Sequence, residues 1–197
     1  MDELGKAEVL GLVNQLKPHD HAIMFYTYPE DKHLVLFTYI KTILEEGGGV
    51  IYFFSQTSPT HIAITLKQFG IAADKYMQRG AFRLVDQGGQ YFFNIGNNLQ
   101  QSIDSIKSVY NELTSKGLKK IVIIEDMAFF LAYGMVDYLI KYERLLQKAH
   151  EIPAVTICVY DFELLCKQGN GDLYLNLIKS HSIIILAGPR EWEVKIY

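Results

Sequence analysis

The residues able to do chemistry in this 197-residue chain are acids, histidines, tyrosines and two cysteines, set beside apolar runs. Ile121-Val122-Ile123-Ile124 ends in Glu125-Asp126. Four apolar residues followed by an acid match a Walker B strand, whose carboxylate orders Mg2+ beside a bound nucleotide. That chemistry also needs a phosphate cradle, a glycine-rich backbone nest with its lysine. The turn after the first apolar run, Thr27-Tyr28-Pro29-Glu30-Asp31-Lys32, holds no glycine. Proline removes one N–H donor, and Glu30 and Asp31 repel phosphate. Conventional ATP hydrolysis is therefore not expected.

Glu143 raises a different question. Leu139, Tyr142, Glu143 and Leu146 fall at i, i+3, i+4 and i+7, so the acid shares the apolar face of a helix. A carboxylate there must be paired, hydrogen-bonded or protonated. It either fixes the fold through such a bond or anchors a ligand in a pocket. His21 opens the first apolar run and His181 precedes the last long one, and each reads as a histidine bonded to neighbouring backbone. His19 and His21 have an alternate spacing that suits a metal, but no further ligand cluster supports them, so no metal is expected. Cys158 reads as a small buried hydrophobe. Cys158 and Cys166 can form neither a disulfide framework nor a zinc cluster of usual spacing, which points to a reduced, cytoplasmic setting. No Ser-His-Asp pattern or Gly-x-Ser-x-Gly elbow appears, so neither catalysis nor a cofactor is expected.

These residues need elements to position them. The apolar runs predict strands over 21–27, 50–55, 81–86, 120–125, 154–160 and 182–187, short and rich in β-branched or aromatic residues. Helices are expected near 30–46, 58–69, 97–116, 135–150 and 171–180, with Ser58-Pro59 opening the second and Gly47, Gly70 and Gly117 closing the first three. Leu4, Val9, Leu12, Val13 and Leu16 suggest a further short amphipathic helix. The alternation predicts a three-layer α/β/α fold around a mainly parallel sheet. The alternating tail from Trp192 to Ile196 predicts a C-terminal antiparallel hairpin. The chain reads as one domain, with an N-terminal helix over 1–16, a core over 17–188 and an edge strand over 189–197.

Ligands of open parallel sheets bind outside the carboxyl ends of the strands. That rule selects Tyr26-Thr27-Tyr28, Ser55-Gln56, Asp86-Gln87, Glu125-Asp126 and Tyr160-Asp161. The irregular stretch 87–98 carries Tyr91, Phe92 and Phe93 and is a candidate wall of such a site. A net charge of −3 argues against a broad nucleic-acid surface, and the longest Lys/Arg run is two residues, which argues against a polybasic membrane patch. No run of 18 apolar residues exists, and the first residues lack the pattern of a signal peptide.

Taken in order, several of these motifs resemble the MEDS domains, sensory domains of methanogens and methylotrophs that include the dichloromethane-responsive regulator. The likeness runs from His21-Ala-Ile-Met-Phe-Tyr26 and Pro29-Glu30 through Ser58-Pro59, Gly70-Ile71 and Glu125-Asp-Met127. It continues in Lys141-Tyr142-Glu143-Arg144, Cys158-Val-Tyr160-Asp161 and His181, spanning about residues 17–188. The resemblance implies a RecA-like or KaiC-like core that has lost its phosphate loop, the turn now shaping a ligand site. It implies a signal-input module that binds a small organic molecule and addresses a partner kinase or transcription regulator, in some cases as a homo-oligomer. His21, Tyr26, Glu125, Tyr142, Glu143, Tyr160 and Asp161 are the implied site, to which the rim position adds Tyr28. Gly47-Gly48-Gly49 and Ile124 depart from the family pattern. The rival readings are a degenerate nucleotide-binding module and a pure interaction subunit.

Overall fold

The apolar runs pair into a single sheet in the computed structural model, which describes residues 3–55, 57–86, 99–148, 152–188 and 192–196. The strands are β1 (His21–Tyr26), β2 (Gly49–Phe54), β3 (Phe82–Asp86), β4 (Ile121–Asp126), β5 (Val155–Asp161), β6 (Ile183–Ala187) and β7 (Trp192–Ile196). Their order is β3-β2-β4-β5-β1-β6-β7. All neighbours are parallel except β6 and β7, which pair antiparallel from Ile183↔Ile196 to Ala187↔Trp192. The mainly parallel sheet and its C-terminal hairpin are those expected from sequence.

The helices are α1 (Glu3–Val13), α2 (Pro29–Glu45), α3 (Pro59–Gln68), α4 (Ala73–Gln78), α5 (Leu99–Ser115), α6 (Ala128–Ala132), α7 (Val136–Lys148), α8 (Phe162–Lys167) and α9 (Gly171–Ser180). Three of them, α4, α6 and α8, were not expected. At five or six residues each, they are too short to show a helical period.

Strand order decides which face each helix covers. From β1 to β2 to β3 the chain steps one way across the sheet, and from β3 through β4 and β5 to β6 it steps back. Right-handed crossovers then put α2 to α4 on one face and α5 to α9 on the other. Burial follows the period-two alternation of each strand. Ala22, Met24 and Tyr26 of β1 face the α2 layer with Val35, Leu36 and Ile40. Ile23 and Phe25 face the opposite layer with Leu139, Leu173 and Leu177. Each buried Val, Leu, Ile, Met or Phe among them contributes about 1.5–3 kcal/mol of transfer free energy.

The triple glycine after α2 has a steric cause. Gly47 takes φ +81°, the left-handed conformation that ends a helix without a Cβ penalty. A Cβ on Gly48 would lie 2.7 Å from the Lys120 carbonyl oxygen and 3.0 Å from that of Ile43. The backbone of the α2–β2 turn thus passes against the start of β4 with no room for a side chain.

Candidate functional site

The structure divides the expected site residues between two places on opposite faces of the sheet. Near the carboxyl ends of β1, β2, β4 and β5 lies an open cavity of about 250 Å3, with Tyr26, Lys32, Tyr52, Ser55, Asp126 and Asp161 among its lining. Strands β1 and β5 are neighbours whose outgoing chains leave toward opposite faces, which is where open α/β sheets form a crevice.

The turn after β1 is a helix start with no glycine-rich loop. Tyr28 occupies the N-cap position, Pro29 the first turn, and Glu30 and Asp31 meet the positive end of α2. One turn in, Lys32 reaches back into the crevice, where its Nζ lies 2.8 Å from Asp126 Oδ2. Both side chains are buried. The other Asp126 oxygen accepts from the Ala128 amide at 3.1 Å. Lys32 also sits 4.7 Å from the centre of the Tyr26 ring, a cation–π distance. Burial, and next the Asp126 charge, push the Tyr26 hydroxyl far above its usual range. Burial, and next the Lys32 charge, lower the His33 imidazole to about 4, so it is neutral at physiological pH. The hydroxyls of Tyr52 and Ser55, both buried, have no hydrogen-bond partner among the described residues and line this cavity.

The second place is a closed polar cluster under α7. It receives Glu125 from β4, Cys158 and Tyr160 from β5, Tyr142 and Glu143 from α7, His21 from the first position of β1, and His181 just before β6. Every one of these side chains is 6% exposed or less. The Tyr142 hydroxyl donates to Glu125 Oε2 at 2.6 Å, and the Tyr160 hydroxyl donates to Glu143 Oε1. His21 Nε2 lies 3.3 Å from Cys158 Sγ and 3.8 Å from Glu143 Oε2. His181 Nε2 lies 3.4 Å from the same oxygen. Burial raises the Glu125 carboxyl to about 8; the Tyr142 bond opposes the shift and the Glu143 charge adds to it. Glu125 is therefore mostly protonated at neutral pH. Burial, and next Glu143, push the Cys158 thiol and the Tyr160 hydroxyl well up.

The expected site is thus redistributed. Tyr26 and Asp161 line the crevice, whereas His21, Glu125, Tyr142, Glu143 and Tyr160 belong to the closed cluster. Tyr28 joins neither, with 49% of its surface exposed. Asp126 rather than Glu125 turns toward the crevice, because alternation along β4 sends adjacent side chains to opposite faces. The stretch 87–98 proposed as a wall lies outside the described residues. Sequence reasoning missed Lys32, whose signal was its place one turn after Pro29. It also missed the convergence of His21, Glu143, Cys158 and His181, four residues that no local spacing connects.

Residues 20–181 match the family described as MEthanogen/methylotroph, DcmR Sensory domain, or MEDS. The chain belongs to the MEDS family. No curated protein matches it significantly. Among solved structures, it is similar to the protein PH0321 of Pyrococcus horikoshii, crystallised in complex with an unknown peptide. That likeness has a TM-score of 0.71 at 12% identity, over 91% of this MEDS chain and 82% of the other. It is also similar to the KaiC-like protein PH0186 of Pyrococcus horikoshii OT3, with a TM-score of 0.62 at 15% identity over 91% and 76% of the two chains. At these identities the likeness shows the fold, a RecA/KaiC-like α/β core. No helix among the described residues is long and apolar enough to cross a membrane.

Proposed function

We propose that this MEDS domain is a non-catalytic signal-input module that binds a small organic molecule in the crevice at the carboxyl ends of β1, β2, β4 and β5. Its occupancy would be relayed in the cytoplasm to a partner kinase or transcription regulator. The observation that carries this reading is the crevice itself, with aromatic walls and two buried hydroxyls, Tyr52 and Ser55, that have no partner among the described residues. A buried polar group without a partner is costly, and a ligand able to hydrogen-bond would relieve that cost. At about 250 Å3 the space falls just short of the roughly 300–1,000 Å3 typical of drug-sized ligands.

Nucleotide binding is disfavoured by the ion pair. Lys32 and Asp126 neutralise each other where a phosphate would need a free cation and a metal-holding acid. Helix α2 brings Lys32 and His33 to the crevice and α3 brings His61 and Ile62, so a ligand there would touch both helices.

The test is a thermal-shift and calorimetric titration with methanol, methylamine, dichloromethane and Mg-ATP. Stabilisation by a small organic, weakened in Ser55→Ala, is the expected result. Saturable Mg-ATP binding, or no stabilisation by any organic probe in a folded protein, would overturn the reading.

A further inference from the structure

The closed cluster on the α7 face has the composition and spacing of a metal centre. His21, Glu143, Cys158 and His181 each present one ligand atom, and these four atoms lie within 4.8 Å of one another. We propose that they form a mononuclear, four-ligand site for a borderline divalent cation of the Zn2+ class. This goes beyond the ligand-binding reading and involves the other face of the sheet.

Geometry carries the argument first. A tetrahedral zinc with ordinary bonds to nitrogen, oxygen and sulfur sets its ligand atoms about 3.3–3.6 Å apart. His21 Nε2 to Cys158 Sγ is 3.3 Å and His181 Nε2 to Glu143 Oε2 is 3.4 Å. His21 Nε2 to Glu143 Oε2 and Cys158 Sγ to Glu143 Oε2 are each 3.8 Å. The separations of His181 Nε2 from the His21 and Cys158 donors are no more than 4.8 Å and would have to shorten to about 3.3–3.6 Å around an ion.

The surrounding bonds orient the donors toward one point. His181 Nδ1 lies 2.7 Å from the Leu177 carbonyl oxygen, an acceptor, so the proton sits on Nδ1 and the Nε2 lone pair faces the cluster. That lone pair meets an oxygen of Glu143, itself an acceptor, and makes no hydrogen bond with it. Two acceptors facing each other in a buried site repel unless a proton or a metal cation lies between them. The second oxygen of Glu143 is held by the Tyr160 hydroxyl, the outer contact that fixes a ligating carboxylate.

Charge closes the argument. A divalent ion with one thiolate, one carboxylate and two neutral imidazoles is neutral overall, which suits a fully buried place. Binding would release the thiol proton of Cys158. Four protein ligands leave no open position, so the site is of the closed, structural kind rather than the catalytic kind. Sulfur and imidazole donors select zinc or cobalt over magnesium or calcium. A groove of about 100 Å3 between α7 and α9, lined by Glu143, Arg144, Leu177 and Ser180, reaches the cluster from outside.

The test uses Co2+ as probe. The full chain is produced in Co2+-supplemented medium, purified without chelator, and examined by elemental analysis and absorption spectroscopy. About one equivalent of metal, with a thiolate-to-cobalt charge-transfer band and intense visible bands of four-coordinate cobalt, is the expected result. Cys158→Ser should abolish the charge-transfer band, and His181→Gln should lower metal affinity by 10-fold or more. Cys166→Ser, which alters the exposed cysteine, should leave both unchanged. Absence of metal from a wild-type protein that melts cooperatively overturns the proposal, as does a charge-transfer band that survives in Cys158→Ser. Should Cys158→Ser not fold, the band in wild type and Cys166→Ser decides, since Cys158 is then the one remaining thiol; its absence from either also overturns the proposal.

Discussion

The crevice and the closed cluster share β4 and β5 yet treat their polar groups in opposite ways. In the crevice, one cation and one carboxylate satisfy each other and leave space beside them. In the cluster, two carboxylates, two imidazoles and a thiol crowd together. Nearly all of the neutralisation there must come from protons or from an ion. Alternation along a strand makes the difference possible. Asp126 and Glu125 are adjacent, as are Asp161 and Tyr160, and each pair sends one side chain to either region. A single stretch of β4 or β5 therefore serves both places, and one-residue errors in assigning a face exchange their roles.

The sharpest way to break this comparison is to remove one partner of the crevice pair. Lys32→Met should destabilise the fold by about 3–5 kcal/mol, because Asp126 is left charged and buried. The double variant Lys32→Met with Asp126→Asn should recover most of that loss, as urea unfolding would reveal. If the single and double variants are equally unstable, the pair is not the self-contained unit described above.

In the cluster, Tyr160→Phe removes the hydroxyl that donates to Glu143 and should cost about 1–3 kcal/mol. Tyr52→Phe offers the contrast. It deletes a crevice hydroxyl that has no partner among the described residues, so stability should hold within about 0.5 kcal/mol or rise. Equal losses in these two variants would erase the distinction between a hydroxyl bonded within the cluster and one without a partner among the described residues that line the crevice.

The smallest effect concerns pH. The folded-state pKa of His33 is depressed to about 4 by burial and Lys32, against an unfolded value of about 6.5. Its contribution is fully present above about pH 6.5 and is lost as pH falls toward 4. His33→Gln should flatten that acid limb by roughly 0.5–1 kcal/mol once solvent screening of a partly exposed group is allowed for. Thermal melts at pH 7 and pH 4.5 would measure it.

The strands of the core were legible in the sequence to within a residue, because buried parallel strands are continuous apolar runs bounded by polar turns. Gly47, Ser58-Pro59 and Gly70 placed α2 and α3 equally well. The burial of Glu143 was also readable, from its place on an apolar helical stripe. Its partners were not. Tyr160 shares with it only a packing relation between α7 and β5, and His21 and His181 read singly as backbone-bonded histidines. His181 does make that backbone contact through Nδ1, while its other nitrogen takes part in the cluster. The only short spacing that suits a metal is that of His19 and His21, so the convergence of His21, Glu143, Cys158 and His181 has no signal along the chain. Lys32 stands in sequence as the end of a glycine-free turn, whereas the fold pairs it with Asp126 in the crevice.

His21 and His181 face each other with ring centres 4.1 Å apart, although 160 positions (181 − 21) separate them along the chain. They tie the beginning of the first core strand to the approach of the last. Closing so long a loop removes many conformations from the unfolded chain, though the cost grows only as the logarithm of its length. Pulled from its C-terminal end, the molecule should surrender the β7 edge first and resist at β6, whose parallel pairing with β1 runs from Ala22↔Ile183 to Tyr26↔Ala187 and stands between the pulled end and His181. The histidine pair sits behind that strand pairing, at the amino-terminal ends of β1 and β6, so it is reached only after the edge of the sheet has come away.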